Sequence, residues 1–244
     1  MDITERFFQL GSEWNVIHLP EKPSGFGVLI IGDRSHFVNE KTSFSLQHYG
    51  RNQLLTVFRN KGYTVFSSNL YNQNWGSPNA VILAKQLYQV VLRKEILNER
   101  IHILAEGMGA LVALQLMEEL KDKIRSVAML NPCLDLQAHL KNEKDNKFFY
   151  KRLLKEISSA YEMDVRDVSN FNFKEMDSYK SSLPVQIWQK MNEAYFLSSH
   201  NSKKYEILRR KRGYPIQLIY HLGDNQYRVN HSIMKFFKEH ETVL

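Results

Sequence analysis

With 244 residues and 43% apolar side chains, the chain has enough material for one α/β domain whose core needs no disulfide or metal staple. Its single cysteine, Cys133, excludes an intramolecular disulfide. Met1–Arg6 carries an early acid and no apolar stretch of signal-peptide length, and apolar runs such as Gly27–Ile31 are too short to span a bilayer, so a cytoplasmic protein is expected. Much of the net charge of +7 sits in Lys203, Lys204, Arg209, Arg210, Lys211 and Arg212. That run reads first as a solvated helix end. With no zinc-finger spacing or RNA-binding aromatic motif beside it, nucleic acid is not expected as a partner, while peripheral contact with an anionic membrane stays open.

In chain order, Trp14–Leu19 and Gly27–Ile31 have strand character and are separated by a turn over Pro20–Gly25. The second run is apolar on both faces, as in a central parallel strand covered by helices on both sides. Tyr49–Lys61 predicts a helix with Leu54, Leu55, Val57 and Phe58 on one side and Gly62 as its stop, followed by a strand at Tyr63–Phe66. Pro78 opens a long helix through Ile96, Ile101–Leu104 is a strand, Gly109–Leu120 a helix, and Ile124–Leu130 a strand ending at Asn131-Pro132. This alternation predicts an α/β fold with a doubly wound, mainly parallel sheet.

Residues 136–212 interrupt the rhythm. They are charged and aromatic, with helices expected over Phe148–Tyr161 and Pro184–Leu197 and no evident strand. The expected organisation is a core over 1–135, a largely helical cap over 136–212 and a core return over 213–244, with a strand at Pro215–Tyr220 and a helix from about Asn230 to His240.

Between the Ile101–Leu104 strand and the following helix lies a turn of small residues, Ala105-Glu106-Gly107-Met108-Gly109. Glycines there allow a sharp turn and close approach of strand and helix. This segment resembles the nucleophile elbow of α/β hydrolases, G-x-S-x-G, with Gly107 standing at the serine position. Leu29–Asp33 is similar to the strand that ends in the oxyanion-hole loop of that family. The resemblance implies a vestigial pocket around Gly32, Asp33 and Met108, and Ile219–Asp224 resembles the strand end that presents the acid, which places Asp224 at the acid position. The family's histidine follows one further strand, and residues 225–244 read mostly as a helix with His231 and His240 in or beside it, so no histidine fills that role.

Acyl transfer by this route needs an oxygen nucleophile and a base. Losing either costs on the order of a millionfold in turnover, and an oxyanion hole alone retains roughly a thousandfold over water. The resemblance therefore implies a catalytically inactive protein that binds an acyl-bearing small ligand or a protein partner. One alternative is an esterase, thioesterase or acyltransferase using displaced residues, with Ser35, His36, Glu106 and Cys133 as the substitutes nearest the turn; another is a basic module on membrane or nucleic acid. Glu106, one position early, is read as a salt-bridge residue, and Cys133 as a packing residue. No histidine spacing suits a metal, and no cofactor is implied.

Overall fold

The computed structural model describes residues 4–191, 195–222 and 226–241. The chain opens with a hairpin in which β1 (Glu5–Leu10) turns at Gly11 and pairs antiparallel with β2 (Glu13–His18). The β/α alternation follows: β3 (Gly27–Ile31), the short α1 (Phe44–Gln47), α2 (Tyr49–Asn60), β4 (Thr64–Ser68), α3 (Pro78–Lys94), β5 (Ile101–Glu106), α4 (Gly109–Glu119) and β6 (Ile124–Leu130). A helical excursion comes next, α5 (Leu136–Glu143), α6 (Lys147–Ala160) and α7 (Val165–Val168). The chain then returns through β7 (Val185–Lys190), α8 (Ser202–Lys211), β8 (Ile216–His221) and α9 (Gln226–Glu239).

The eight strands form one sheet in the order β1-β2-β4-β3-β5-β6-β7-β8, parallel from β4 to β8 and antiparallel at β1 and β2. Its central strands are buried on both faces, which is why they read as continuous apolar runs. One face packs on Leu83 and Leu87 of α3, Val112 and Leu116 of α4 and Tyr205 of α8; the other packs on Leu54 and Phe58 of α2 and Ile233 and Phe237 of α9. A third core joins Trp75, Met108, Leu111 and Cys133 to Leu136, Leu140, Leu153, Ile157 and Phe196, and seats the helical excursion over the strand ends as a cap.

One sequence expectation needs correction. Pro184–Leu197 is not a helix: Val185–Lys190 is a strand between β6 and β8. The strand hides because its polar residues are buried and paired rather than exposed, Gln186 donating to Gln217 at 2.9 Å and Gln189 accepting from Ser202 at 2.6 Å. The interval 136–212 therefore contains a sheet strand and a core helix, and the cap proper is the stretch between β6 and β7.

The basic run at 203–212 does end a helix, and most of its cations are engaged. Arg209 is buried and donates to the carbonyls of Ser181 (2.9 Å), Leu183 and Pro215 (3.2 Å) and to the Tyr205 hydroxyl (3.2 Å). Lys203 and Arg210 both pair with Glu206, Lys204 with Asp135, and Arg212 donates to the Tyr179 carbonyl at 2.6 Å. These cations close the α8–β8 corner instead of forming a free patch.

Replacing Arg209 by alanine should take a donor from the part-buried carbonyls of Ser181 and Leu183 and lower unfolding free energy by about 2 kcal/mol, with lysine recovering little because it cannot fan out to both; urea melts check this. A second expectation concerns buried histidines. Burial lowers His102 to about 3, and His36 and His139 to about 4 each. In the unfolded chain they titrate near 6.5, so below that pH the unfolded state takes up protons that the folded state refuses. Stability is thus fully present above pH 6.5 and falls as pH drops, by roughly 1.4 kcal/mol per pH unit for each histidine. The urea midpoint should decline between pH 7 and 5, and His102→Gln should flatten that decline; a slope unchanged in the variant would contradict the assignment.

Candidate functional site

The turn between β5 and α4 is built from backbone constraints. Gly107 has φ +49°, a left-handed conformation that glycine adopts without steric cost. Its N–H donates to Leu130 O at 3.0 Å and its carbonyl accepts from Cys133 N at 2.8 Å, so the exit of β6 holds the turn. A Cβ on Gly109 would lie 2.5 Å from Ile31 O and 2.7 Å from Gly32 O. Only glycine lets α4 start this close to the end of β3, and that approach brings the Gly32–His36 loop onto the turn.

The loop fills the turn with a carboxylate. A Cβ built on Gly107 would stand 2.1 Å from Asp33 Cγ and 2.2 Å from its Oδ1, so the Asp33 carboxyl occupies the space of any side chain at 107. The Met108 amide donates to Asp33 Oδ1 at 3.0 Å. Met108 is the N-cap of α4 and brings no capping side chain of its own, so Asp33 supplies the acceptor from 75 residues away. A negative group there meets the positive end of the helix dipole. The amide that the family resemblance assigns to stabilising a developing oxyanion already serves a resident anion.

The remaining sequence candidates are placed as follows. Gly32 lies under the His36 ring, where its own Cβ would be 2.1 Å from the imidazole. His36 is buried, sits edge-on to Phe44 at 5.9 Å and is held to about 4 by burial, so it is neutral at physiological pH. Ser35 is exposed on the loop's turn. Glu106 points to α2, where Arg51 contacts its Oε2 at 2.6 Å through Nη2 and at 2.9 Å through Nε. Met108 and Cys133 are fully buried in the cap core. Burial and the nearby Asp33 charge push the Cys133 thiol well above its ordinary range, the opposite of an activated nucleophile.

Asp224 lies outside the described residues. Its strand is β8, the eighth in chain order, and α9 follows it. Among the described residues no group of three or more His, Cys, Asp or Glu is placed to hold a metal ion.

Sequence reasoning missed a second layer above the turn. Glu156 of α6 accepts from Arg34 Nη2 at 2.7 Å, Trp75 Nε1 at 3.0 Å and Arg152 Nε at 2.9 Å. The Arg34 guanidinium lies 5.8 Å from the ring centroids of both Trp75 and Tyr195, and His139 stacks on Trp75 at 5.6 Å. The residue after Asp33 is thereby clamped to the cap. Its contacts are distant in sequence, and a lone arginine in a loop gives no local hint of them.

Solved structures match the chain along nearly its whole length. The acylaminoacyl peptidase of Pyrococcus horikoshii superposes with a TM-score of 0.73 at 12% identity, covering 97% of this chain and 41% of that one. The chain thus spans about two fifths of the peptidase. A thermostable carboxyl esterase from Bacillus coagulans matches with a TM-score of 0.65 at 12% identity, covering 97% and 98% of the two chains. Est1E from Butyrivibrio proteoclasticus gives 0.65 at 13%, covering 98% and 99%. No family model matches the sequence, and neither does any curated protein. The mixed eight-stranded sheet, the helices on its two faces, the glycine turn after β5 and these superpositions agree: the chain has the α/β-hydrolase fold.

Proposed function

We propose that this protein is a catalytically silent member of its fold that acts by binding, through a small acyl-bearing ligand or a protein partner. The observation that carries the proposal is the Asp33 carboxyl seated in the turn. It takes the space of a side chain at 107 and the hydrogen bond of the Met108 amide together. Three conditions of acyl transfer then fail at one point. There is no attacking oxygen on residue 107, the amide that would receive the oxyanion is engaged, and a fixed negative charge repels the negative charge that acyl transfer must develop.

Against the displaced-nucleophile alternative stand three of its four candidates, while Ser35 lies exposed on the loop. The Cys133 thiol is held protonated, Glu106 is committed to Arg51, and His36 faces Phe44 under the loop. The cap aromatics divide between packing and surface. Phe173 and Phe196 are buried, whereas Phe148, Phe149 and Phe171 are exposed and available for contact. An apolar cleft of about 210 Å³, lined in part by Gly76, Leu111, Tyr161 and Phe171, offers room beneath the cap for a short chain.

The purified protein should turn over no short-chain ester and take no label from a serine-reactive fluorophosphonate; labelling that maps to any serine beside the turn would overturn the proposal. The plug itself is open to a double-mutant cycle. Gly107→Ser should cost about 2 kcal/mol of stability, since the new Cβ displaces Asp33 and sits at positive φ. In an Asp33→Ala background the same change should cost distinctly less, and neither the single nor the double variant should hydrolyse ester. Additive costs in urea melts would show that Asp33 does not occupy that space.

A further inference from the structure

We propose that the outer face of α6, with the α5–α6 junction, is a docking surface for an anionic phospholipid bilayer. The inner face of this helix, Tyr150, Leu153, Leu154 and Ile157, belongs to the cap core. The positions between them place Lys147, Phe148, Lys151, Arg152 and Lys155 on the opposite side, all exposed. Phe148 is 73% exposed and Phe149 41%, their rings edge to face at 5.6 Å. A free phenylalanine pair beginning a cap helix has no packing role to explain it.

The charges around the pair are uncommitted. Lys141, Lys144, Lys147, Lys151 and Lys155 have no ion-pair partner among the described residues, and Glu143 and Asp145 are the acids interspersed with them. Only Arg152 is engaged, by Glu156. On α8 most of the cations pair with Glu206, Asp135 or backbone carbonyls, with Lys211 the exposed exception, whereas these five lysines stand in solvent. The neighbouring segment adds apolar surface, since Asn142 and His200 are joined at 2.9 Å and Leu197 beside them is 52% exposed.

A bilayer fits this chemistry better than a protein does. The aromatic pair stands exposed at the start of the helix, and Lys147 and Lys151 flank it along the chain. Rings at the acyl boundary with ammonium groups at headgroup level is the arrangement of an interfacial helix. Docking would lay the cap on the membrane with the sheet behind it. The contact is peripheral, as no described helix is long and apolar enough to cross a bilayer. None of these side chains touches Asp33 or Met108, so the inference stands or falls apart from the silence of the turn.

The test is co-sedimentation of the full chain with phosphatidylcholine vesicles, with and without about 30% phosphatidylserine, at low and high salt. Binding is expected only to the anionic vesicles and should fade with salt. Lys147→Gln/Lys151→Gln/Lys155→Gln should weaken partitioning on the order of a hundredfold and Phe148→Ser roughly tenfold, while Lys211→Gln on α8 leaves it unchanged. The altered side chains are exposed, and unchanged urea midpoints verify that the variants are folded. Failure of the wild type to bind anionic vesicles, or equal binding by the triple-lysine variant, overturns the proposal. Binding insensitive to Phe148→Ser but competed by heparin also overturns it, and points to an acidic macromolecule instead.

Discussion

The hydrogen bond from the Met108 amide to Asp33 and the missing Cβ at residue 107 form a single constraint. The first turn of any helix leaves amide donors that need acceptors. With a side chain at 107 the space beside Met108 would be filled, and Asp33 would be turned out of the site. With glycine there, the space and the amide are both free, and a carboxylate from the neighbouring loop satisfies the amide while adding a favourable helix-end charge. The two residues are mutually permissive. Each makes sense only in the presence of the other.

That constraint propagates outward because the loop bearing Asp33 is held on both sides. Gly109 brings the end of β3 against the start of α4, and the His36 amide closes the loop on the Asp33 carbonyl at 2.8 Å. Arg34 then ties the loop to Glu156 in the cap, and the same carboxylate receives the indole of Trp75. Trp75 itself sits at φ +42°, a costly conformation held by its burial among cap residues and by the Tyr161 hydroxyl on its carbonyl. The plug, the cap and the Trp75 loop are therefore one mechanical assembly, and opening the turn would mean breaking the clamp around Glu156 as well.

The fold was legible wherever periodicity and burial agree. The both-faces-apolar runs of β3, β5 and β6 and the glycine turn after β5 identify a parallel sheet and its sharpest corner from residues alone. Legibility failed where polarity and burial part company. Val185–Lys190 carries two buried glutamines, one bonded to Gln217 of β8 and one to Ser202 of α8, and Pro184 before them mimics a helix start. Missing that strand put a sheet strand inside the expected cap interval. The site was half legible. Gly107 could be read as a vacated position, but the residue that fills it is 75 positions from Met108 in sequence and identifiable only through space.

Charge teaches the same lesson in the opposite direction. In α8 a dense cationic run is largely a set of struts, because Glu206, Asp135 and backbone carbonyls lie within reach of most of its cations. In α5 and α6 the lysines are more widely spaced and draw less notice, yet the cap offers them no acceptors. What a basic residue does is set by the acceptors its fold places nearby, and a charge left without one keeps its full attraction for an outside partner. A protein whose inward-facing turn is filled by its own carboxylate has its uncommitted chemistry on the outside of the cap. The exposed aromatics and free ammonium groups of α6 are where that chemistry is concentrated.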